Sequence, residues 1–390
     1  MMRLVAVYVC VFTALVLMEP VCKGDGASTP NVITGKQFDA TVLEGVAENS
    51  LAARIVDRRH SYSWRPQWIS GGVNGVRLPG FAISRDKSVL AVIETVGEVN
   101  GPFGSRIVFF STANWKVIRV LEFDRERFTG LCFLARHDDL LAVMLTKQSI
   151  WEQKSNRLML LDMLNGRIIG DVAIPDGKAA VLAVGKFLAV KPEMGKEICI
   201  YEVGGRDEPL IAREKVMMGV GEYLLAGGDD SKSMVAGGNG KLSTVDLASG
   251  EVVGSMELAA GTEIAALTVA GGMDSVALAL GNGRTFLYED KIRKELGTKG
   301  GGTMEYDAGA HSLWVLNMGG QMVTPWSLKT MMAGKEMKPG GMVPKTMGHI
   351  VFWSVLTGDR LLFCSSFGDI MEIYHAKNSW RKKLVVSALR

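Results

Sequence analysis

Three observations place this sequence in the all-β class: short alternating strands, turns marked by glycine and asparagine, and recurrence of both at a nearly fixed spacing. The clearest unit runs from Lys241 to Leu258. Leu242, Thr244 and Asp246 alternate with Ser243, Val245 and Leu247, Ala248-Ser249-Gly250 turns the chain, and Glu251-Val252-Val253 returns. A period of two interrupted by a glycine turn describes a β-hairpin. Related strands stand at Leu90-Ala91-Val92, Leu141-Ala142-Val143, Leu188-Ala189-Val190, Met234-Val235-Ala236, Val276-Ala277-Leu278, Leu313-Trp314-Val315 and Leu361-Leu362-Phe363, 37 to 51 positions apart. That spacing brackets the roughly 40–45 residues of a four-stranded propeller blade. One blade cannot bury both faces of its sheet alone, so the repeats must pack face to face around an axis. The prediction is a seven-bladed β-propeller of four-stranded antiparallel blades over residues 80–390, preceded by a signal peptide (1–24) and an irregular extension (25–79).

The chain begins with the basic lead Met1-Met2-Arg3, an apolar run from Leu4 to Met18, then Pro20 and small residues after Cys22. This is the three-part plan of a secretory signal peptide. The run is shorter than the roughly 20 residues a spanning helix needs, so no transmembrane segment is expected after its removal. A lipid anchor on Cys22 would want small residues before it, and Glu19, Pro20 and Val21 stand there instead. The expected location is periplasmic or secreted. Between Phe38 and Arg58, Val42, Leu43, Val46, Leu51, Ala52 and Val56 fit a helical period loosely and predict a short helix. Ser61 to Gly80, with Trp64 and Trp68, reads as an irregular approach to the first repeat.

Within the repeats a turn and a hydrophobic strand precede each internal strand, plainest in Ala82 to Ala91 and again in Val355 to Leu362. A third strand and a turn follow, as in Met159-Leu160-Leu161-Asp162 closing at Asn165-Gly166. Cys132, Cys199 and Cys364 each fall in a strand of a different repeat. An odd number cannot all pair, and buried free thiols are the expectation. An eight-bladed count, or an N-terminal strand that locks the ring, are alternative readings of the same spacing.

The turn Ser84-Arg85-Asp86 and the stretch Val245-Asp246-Leu247-Ala248-Ser249-Gly250-Glu251-Val252-Val253 resemble those of WD40-like and YVTN-type β-propellers. The resemblance covers about residues 80–390 as a repeat plan. It departs from WD40 proper, since no Trp-Asp pair ends a third strand and the lone Gly-His is Gly348-His349. It implies a binding platform rather than an enzyme.

A formal net charge of +3 over 390 residues gives no reason to expect nucleic acid or an anionic membrane as partner. The sharper signal is loop length. Second-to-third strand loops are tight in blades four to seven: Gly238-Asn239-Gly240, Gly281-Asn282-Gly283, Met318-Gly319-Gly320 and Gly368-Asp369. They expand to Glu94–Ser105 in blade one and Thr146–Arg157 in blade two, with a medium loop, Pro192 to Lys196, in blade three. The connection Lys338 to Gly348 is also long. All these elements open on one face, and long loops on a rigid scaffold are where binding usually resides. Phe103, Lys147, Trp151, Lys154, Arg157, Lys338 and Lys345 are therefore the candidate contacts for a protein partner, expected to be another envelope or extracellular protein.

Catalysis has little support. His60, His137, His311, His349 and His375 show no metal-ligand spacing. Asp138-Asp139 and Asp229-Asp230 read as solvated turns, and no nucleophile elbow or phosphate-cradling loop occurs. No catalytic residue, metal or cofactor is expected. The competing reading is a periplasmic propeller enzyme of the lactonase-like hydrolase type. That reading requires carboxylates, Asn and His at the openings of the innermost strands, which by sequence lie near Phe81, Leu131, Val181, Tyr223, Ile264, Met304 and Val351.

Overall fold

The computed structural model describes residues 31–34, 65–66 and, with short interruptions, 80–386. The N-terminal apolar run, the segment 38–58 and Trp64 and Trp68 lie outside the described residues. The first sheet contains β1 (Asn31–Thr34), β2 (Arg65–Pro66), β3 (Phe81–Ile83), β4 (Val89–Gly97), β5 (Phe103–Ser111) and β6 (Val117–Asp124). Six four-stranded antiparallel blades follow in chain order. The second sheet is β7 (Phe128–Leu134), β8 (His137–Thr146), β9 (Asn156–Asp162) and β10 (Arg167–Ile174); the third is β11 (Ala179–Val184), β12 (Phe187–Pro192), β13 (Glu197–Val203) and β14 (Leu210–Met217). The fourth is β15 (Leu224–Gly227), β16 (Ser233–Gly238), β17 (Lys241–Asp246) and β18 (Val252–Glu257), and the fifth β19 (Ile264–Val269), β20 (Ser275–Leu280), β21 (Thr285–Glu289) and β22 (Ile292–Leu296). The sixth is β23 (Gly301–Asp307), β24 (Ser312–Asn317), β25 (Val323–Ser327) and β26 (Met332–Ala333), and the seventh β27 (Ile350–Thr357), β28 (Arg360–Ser365), β29 (Ile370–Ala376) and β30 (Ser379–Val386).

The expectation of seven four-stranded blades is thereby corrected: the described residues form six such blades, and the first sheet carries six strands. The cause is a difference in strand length. β3 has three residues and pairs only with Leu90, Ala91 and Val92, while β4 runs on to Gly97. The backbone of Glu94 and Thr95 is therefore left open, and β2 fills it. Pro66, which lacks an N–H, is tolerated in such an edge position. On the other side β1 lies antiparallel to β6, from Asn31 opposite Glu122 to Thr34 opposite Arg119. The N-terminal region thus adds strands to the first sheet, not to the last.

Alternation along each strand sends successive side chains to opposite faces, and the core is built from this. On β4, Leu90 and Val92 face a cluster with Leu362, Cys364 and Ile370 of the seventh sheet, whereas Ala91 and Ile93 face Leu131, Met159 and Leu161 of the second. Comparable clusters fill every other junction between consecutive sheets. The first strands of successive sheets neighbour one another around the inside, β3 beside β7 through to β23 beside β27. Burial grades outward accordingly: β12 is buried along its whole length, while the outermost strand β18 alternates between exposed and half-buried. Among the described residues no helix is long and apolar enough to cross a membrane.

The three body cysteines are free thiols on β7, β13 and β28, as expected, but of the three Cys364 is buried while Cys132 and Cys199 are half-buried. Burial pushes the Cys132 thiol up to about 12 and Cys364 well above its ordinary range. Such thiols pack as small hydrophobes and are not reactive at neutral pH.

Candidate functional site

The face predicted to carry the site holds the second-to-third strand loops and the connections between sheets. Strand ends set their lengths: residues 98–102 in the first sheet, 147–155 in the second, 193–196 in the third, 239–240 in the fourth, 281–284 in the fifth, 318–322 in the sixth and 366–369 in the seventh. The expected contrast is thereby corrected: the second-sheet loop is the long one, and those of the first and third match the last three. The sixth and seventh sheets are joined by residues 334–349. The first-sheet loop is shorter than its sequence implied, because most of Glu94–Ser105 is strand. Phe103 begins β5 with its backbone opposite Gly97. Val96 and Gly97 pair with Gly104 and Phe103 and continue the hairpin, while Gly101 lies outside the described residues.

The predicted contacts separate on this framework. Arg157 is in β9 and makes a forked ion pair with Asp171 of β10, its Nε donating to Oδ1 at 2.8 Å and its Nη2 to Oδ2. Cross-strand pairing between neighbouring positions accounts for it. Lys147, Trp151, Lys154, Lys338 and Lys345 lie outside the described residues. The structure brings none of the seven together among the described residues.

On the same face the described residues contain a feature that the sequence reading missed. Lys191, on β12, is 1% exposed. Its ammonium donates to the carbonyl oxygens of Pro192 at 2.8 Å and Gly195 at 2.7 Å, and lies 4.8 Å from the centre of the Tyr223 ring. Burial of a charge is costly unless hydrogen bonds and a π face replace water; here two carbonyls and a tyrosine do so. Burial lowers the Lys191 pKa. The Tyr223 hydroxyl in turn donates to the Met218 carbonyl at 2.9 Å, and the Met218 and Gly219 N–H groups both donate to the Lys196 carbonyl at 2.9 and 3.0 Å. Gly219 has φ 111°, which favours glycine there. The loop of the third sheet and its connection to the fourth are thereby stapled into one unit. Two apolar side chains at its rim, Met217 and Val220, are 64% and 47% exposed. The available signal was a lysine extending the buried run Phe187-Leu188-Ala189-Val190 without breaking it.

Other candidates disperse. Asp138 and Asp139 belong to β8 instead of a turn. His311 sits in the first turn of the sixth sheet with φ 48°, its Nδ1 2.7 Å from the Tyr306 hydroxyl, while His375 packs edge-on against Trp380. Among the described residues no group of three or more His, Cys, Asp or Glu is placed to hold a metal ion. The residues opening the inner strands are Phe81, Phe128, Ala179, Leu224, Ile264, Gly301 and Ile350, within three positions of those read from the sequence.

No protein-family model matches the chain, and no curated relative matches it. Solved structures do. A chain in the crystal structure of the mitotic checkpoint complex is similar over 80% of this chain and 93% of its own, with a TM-score of 0.57 at 12% identity. A KlHsv2 chain whose loop 6CD was replaced by a Gly-Ser linker is similar over 80% of this chain and 97% of its own, with a TM-score of 0.54 at 13% identity. The fold is a β-propeller.

Proposed function

We propose that this chain is an exported, non-catalytic interaction platform that holds a protein partner on the face of the second-to-third strand loops. The observation that carries this reading is the Lys191 staple. It fixes two loops of that face in one conformation and leaves Met217 and Val220 in solvent, so apolar contact area is presented with its ordering cost already met. We count the six-stranded first sheet as a further blade, so that the first, second, third and seventh sheets form one sector of the ring. Lys147, Trp151 and Lys154, in the segment joining β8 to β9, are proposed as further contacts. Protein partners fit the similar propeller found in the mitotic checkpoint complex. The apolar inner-strand openings favour this reading over the hydrolase, whose chemistry needs polar groups there.

The test compares capture from the native extracellular or envelope fraction by the parent chain, Met217→Ser/Val220→Ser, and a variant whose residues 147–155 are replaced by Asn-Gly. One partner held by the parent and lost by both variants, each still folded by circular dichroism, is the expected outcome. Undiminished capture by both would remove this face from consideration. Export has its own readout: the recovered protein should begin near Asp25, and a retained Met1 in that fraction would contradict it.

A further inference from the structure

We propose that the junction between the first and seventh sheets is the ring's built-in opening point, held shut by two side-chain clasps that project from strained turns of the first sheet. Consecutive sheets from the first to the sixth are joined by connections of three to six residues, the sixth and seventh by sixteen, and the seventh and first by none. A short tether keeps neighbouring sheets at high effective concentration. The seventh sheet is thus the least restrained by the chain, and side chains must supply what connectivity does not.

Two turns of the first sheet do this. Lys87 reaches across the seventh sheet: its Nζ lies 3.1 Å from Ser354 Oγ and donates to Glu305 Oε1 of the sixth at 2.6 Å. Glu305 also accepts from Ser354 Oγ at 2.9 Å and from the Val355 N–H at 2.9 Å. One carboxylate therefore ties three sheets. In the second clasp the Trp115 indole N–H donates to Glu372 Oε2 at 2.7 Å, Arg360 Nε donates to Glu372 Oε1 at 2.6 Å, and Arg360 Nη2 donates to the Thr112 carbonyl at 2.8 Å. Glu372 is buried, so each of these bonds forms where water competes little. At the same junction Phe81 stacks on Phe352 with ring centres 5.9 Å apart.

The backbone bears a cost for these two residues in particular. Among the described residues, Lys87 (φ 62°), Trp115 (φ 59°) and His311 are the non-glycine positions in the left-handed region. Such a conformation is disfavoured for an ordinary side chain and persists where the surroundings over-determine it. Lys87 is over-determined: its N–H donates to the Ser84 carbonyl at 2.9 Å and its carbonyl accepts from Thr112 Oγ1 at 2.6 Å. Asparagine or glycine would sit more easily in both turns, and neither would reach the seventh sheet.

Cys364 reports on this junction. It is fully buried in the cluster shared by the first and seventh sheets, whereas Cys132 packs at the junction of the second and third. The experiment follows modification of each thiol by a small aromatic disulfide under native conditions, resolved by peptide mass spectrometry, in the full chain and in Lys87→Asn, Glu305→Gln and Trp115→Phe. Lys87→Asn relieves the turn, so any loosening it produces comes from the lost clasp. Cys364 should react about tenfold faster in each variant, with Cys132 changed less than about twofold. Arg284→Met, which removes an exposed pair with Glu295 far from the junction, should leave Cys364 as in the parent. Unchanged Cys364 labelling in the variants overturns the proposal. So does equal acceleration of Cys132 and Cys364, which would mean that the ring loosens everywhere at once. If Lys87→Asn fails to fold, the same two criteria apply to Glu305→Gln, which keeps a hydrogen-bonding amide in place.

Discussion

At the scale of single residues the turns are held by carboxylates that fold back onto their own backbone. Asp246 Oδ1 accepts from the N–H groups of Ala248 at 3.0 Å and Ser249 at 2.8 Å and from Ser249 Oγ at 3.1 Å, and Gly250 completes the turn at φ 72°. The Ser249 N–H, more than any other group, holds the Asp246 carboxyl below its ordinary 3.8. At Asp86 burial pushes the pKa up, but hydrogen bonds from Ser84 and Ser88 outweigh it and the net shift is also downward. A carboxyl whose pKa is lower folded than unfolded contributes stability above the unfolded value, and loses it as pH falls through the folded one. Asp246→Ala should therefore cost about 1 kcal/mol at pH 7, allowing for its partial exposure. The gap between parent and variant urea midpoints should close below about pH 3.8. A gap that stays constant down to pH 2 would assign the effect to turn geometry alone. These turns were legible in the sequence, because an Asp or Asn followed by Gly is a local code. Lys191 was not, since its partners are Pro192 and Gly195 nearby but also Tyr223, thirty-two positions on.

At the scale of elements the hairpins follow the alternating pattern closely. Lys241–Asp246 is the strand read at Leu242 to Leu247 and Val252–Glu257 the return strand read from Glu251, and Thr244 opposite Gly254 precedes a register shift at Val245. What local pattern could not supply was the fit between sheets. A Cβ added to Gly227, at the end of β15, would lie 2.4 Å from Val184 Cγ2 of the preceding sheet. Glycine is needed there for close approach and not for backbone freedom. Gly227→Ala should lower stability by about 1–3 kcal/mol through overpacking, measured by chemical denaturation; combining it with Val184→Ala should recover part of the loss. No coupling between the two would place the clash elsewhere. The first sheet shows the same limit of local reading. Glu94 to Gly97 and Phe103 to Ser105 were read as loop, but a partner strand from residues 65–66 and the long hairpin keep them extended.

At the scale of the whole molecule, seven packed junctions make the ring and one of them lacks a covalent link. Its stability thus depends on clusters such as Phe81, Leu90, Phe110 and Cys364, and on the clasps of Lys87 and Trp115. The added strands belong to this scale too. Removing residues 1–79 strips β1 and β2 from the first sheet and exposes the edges of β6 and of the β4 extension. The truncated chain should keep its far-ultraviolet strand signature while melting several degrees lower and aggregating more readily, as open edges do. An unchanged melting temperature would show that the two strands contribute nothing to the ring.

Class, repeat plan, free thiols and turn chemistry were legible in the chain alone, because strand periodicity and turn residues act over a few positions; the gradation of loop length was not, because strands extend into stretches that read as loops. Tertiary structure decided the six-stranded first sheet, the staple at Lys191, the ion pair that engages Arg157 and the clasps at the closing junction. Those features rest on contacts between residues up to 267 positions apart, and no local period records which distant side chain a buried charge will meet.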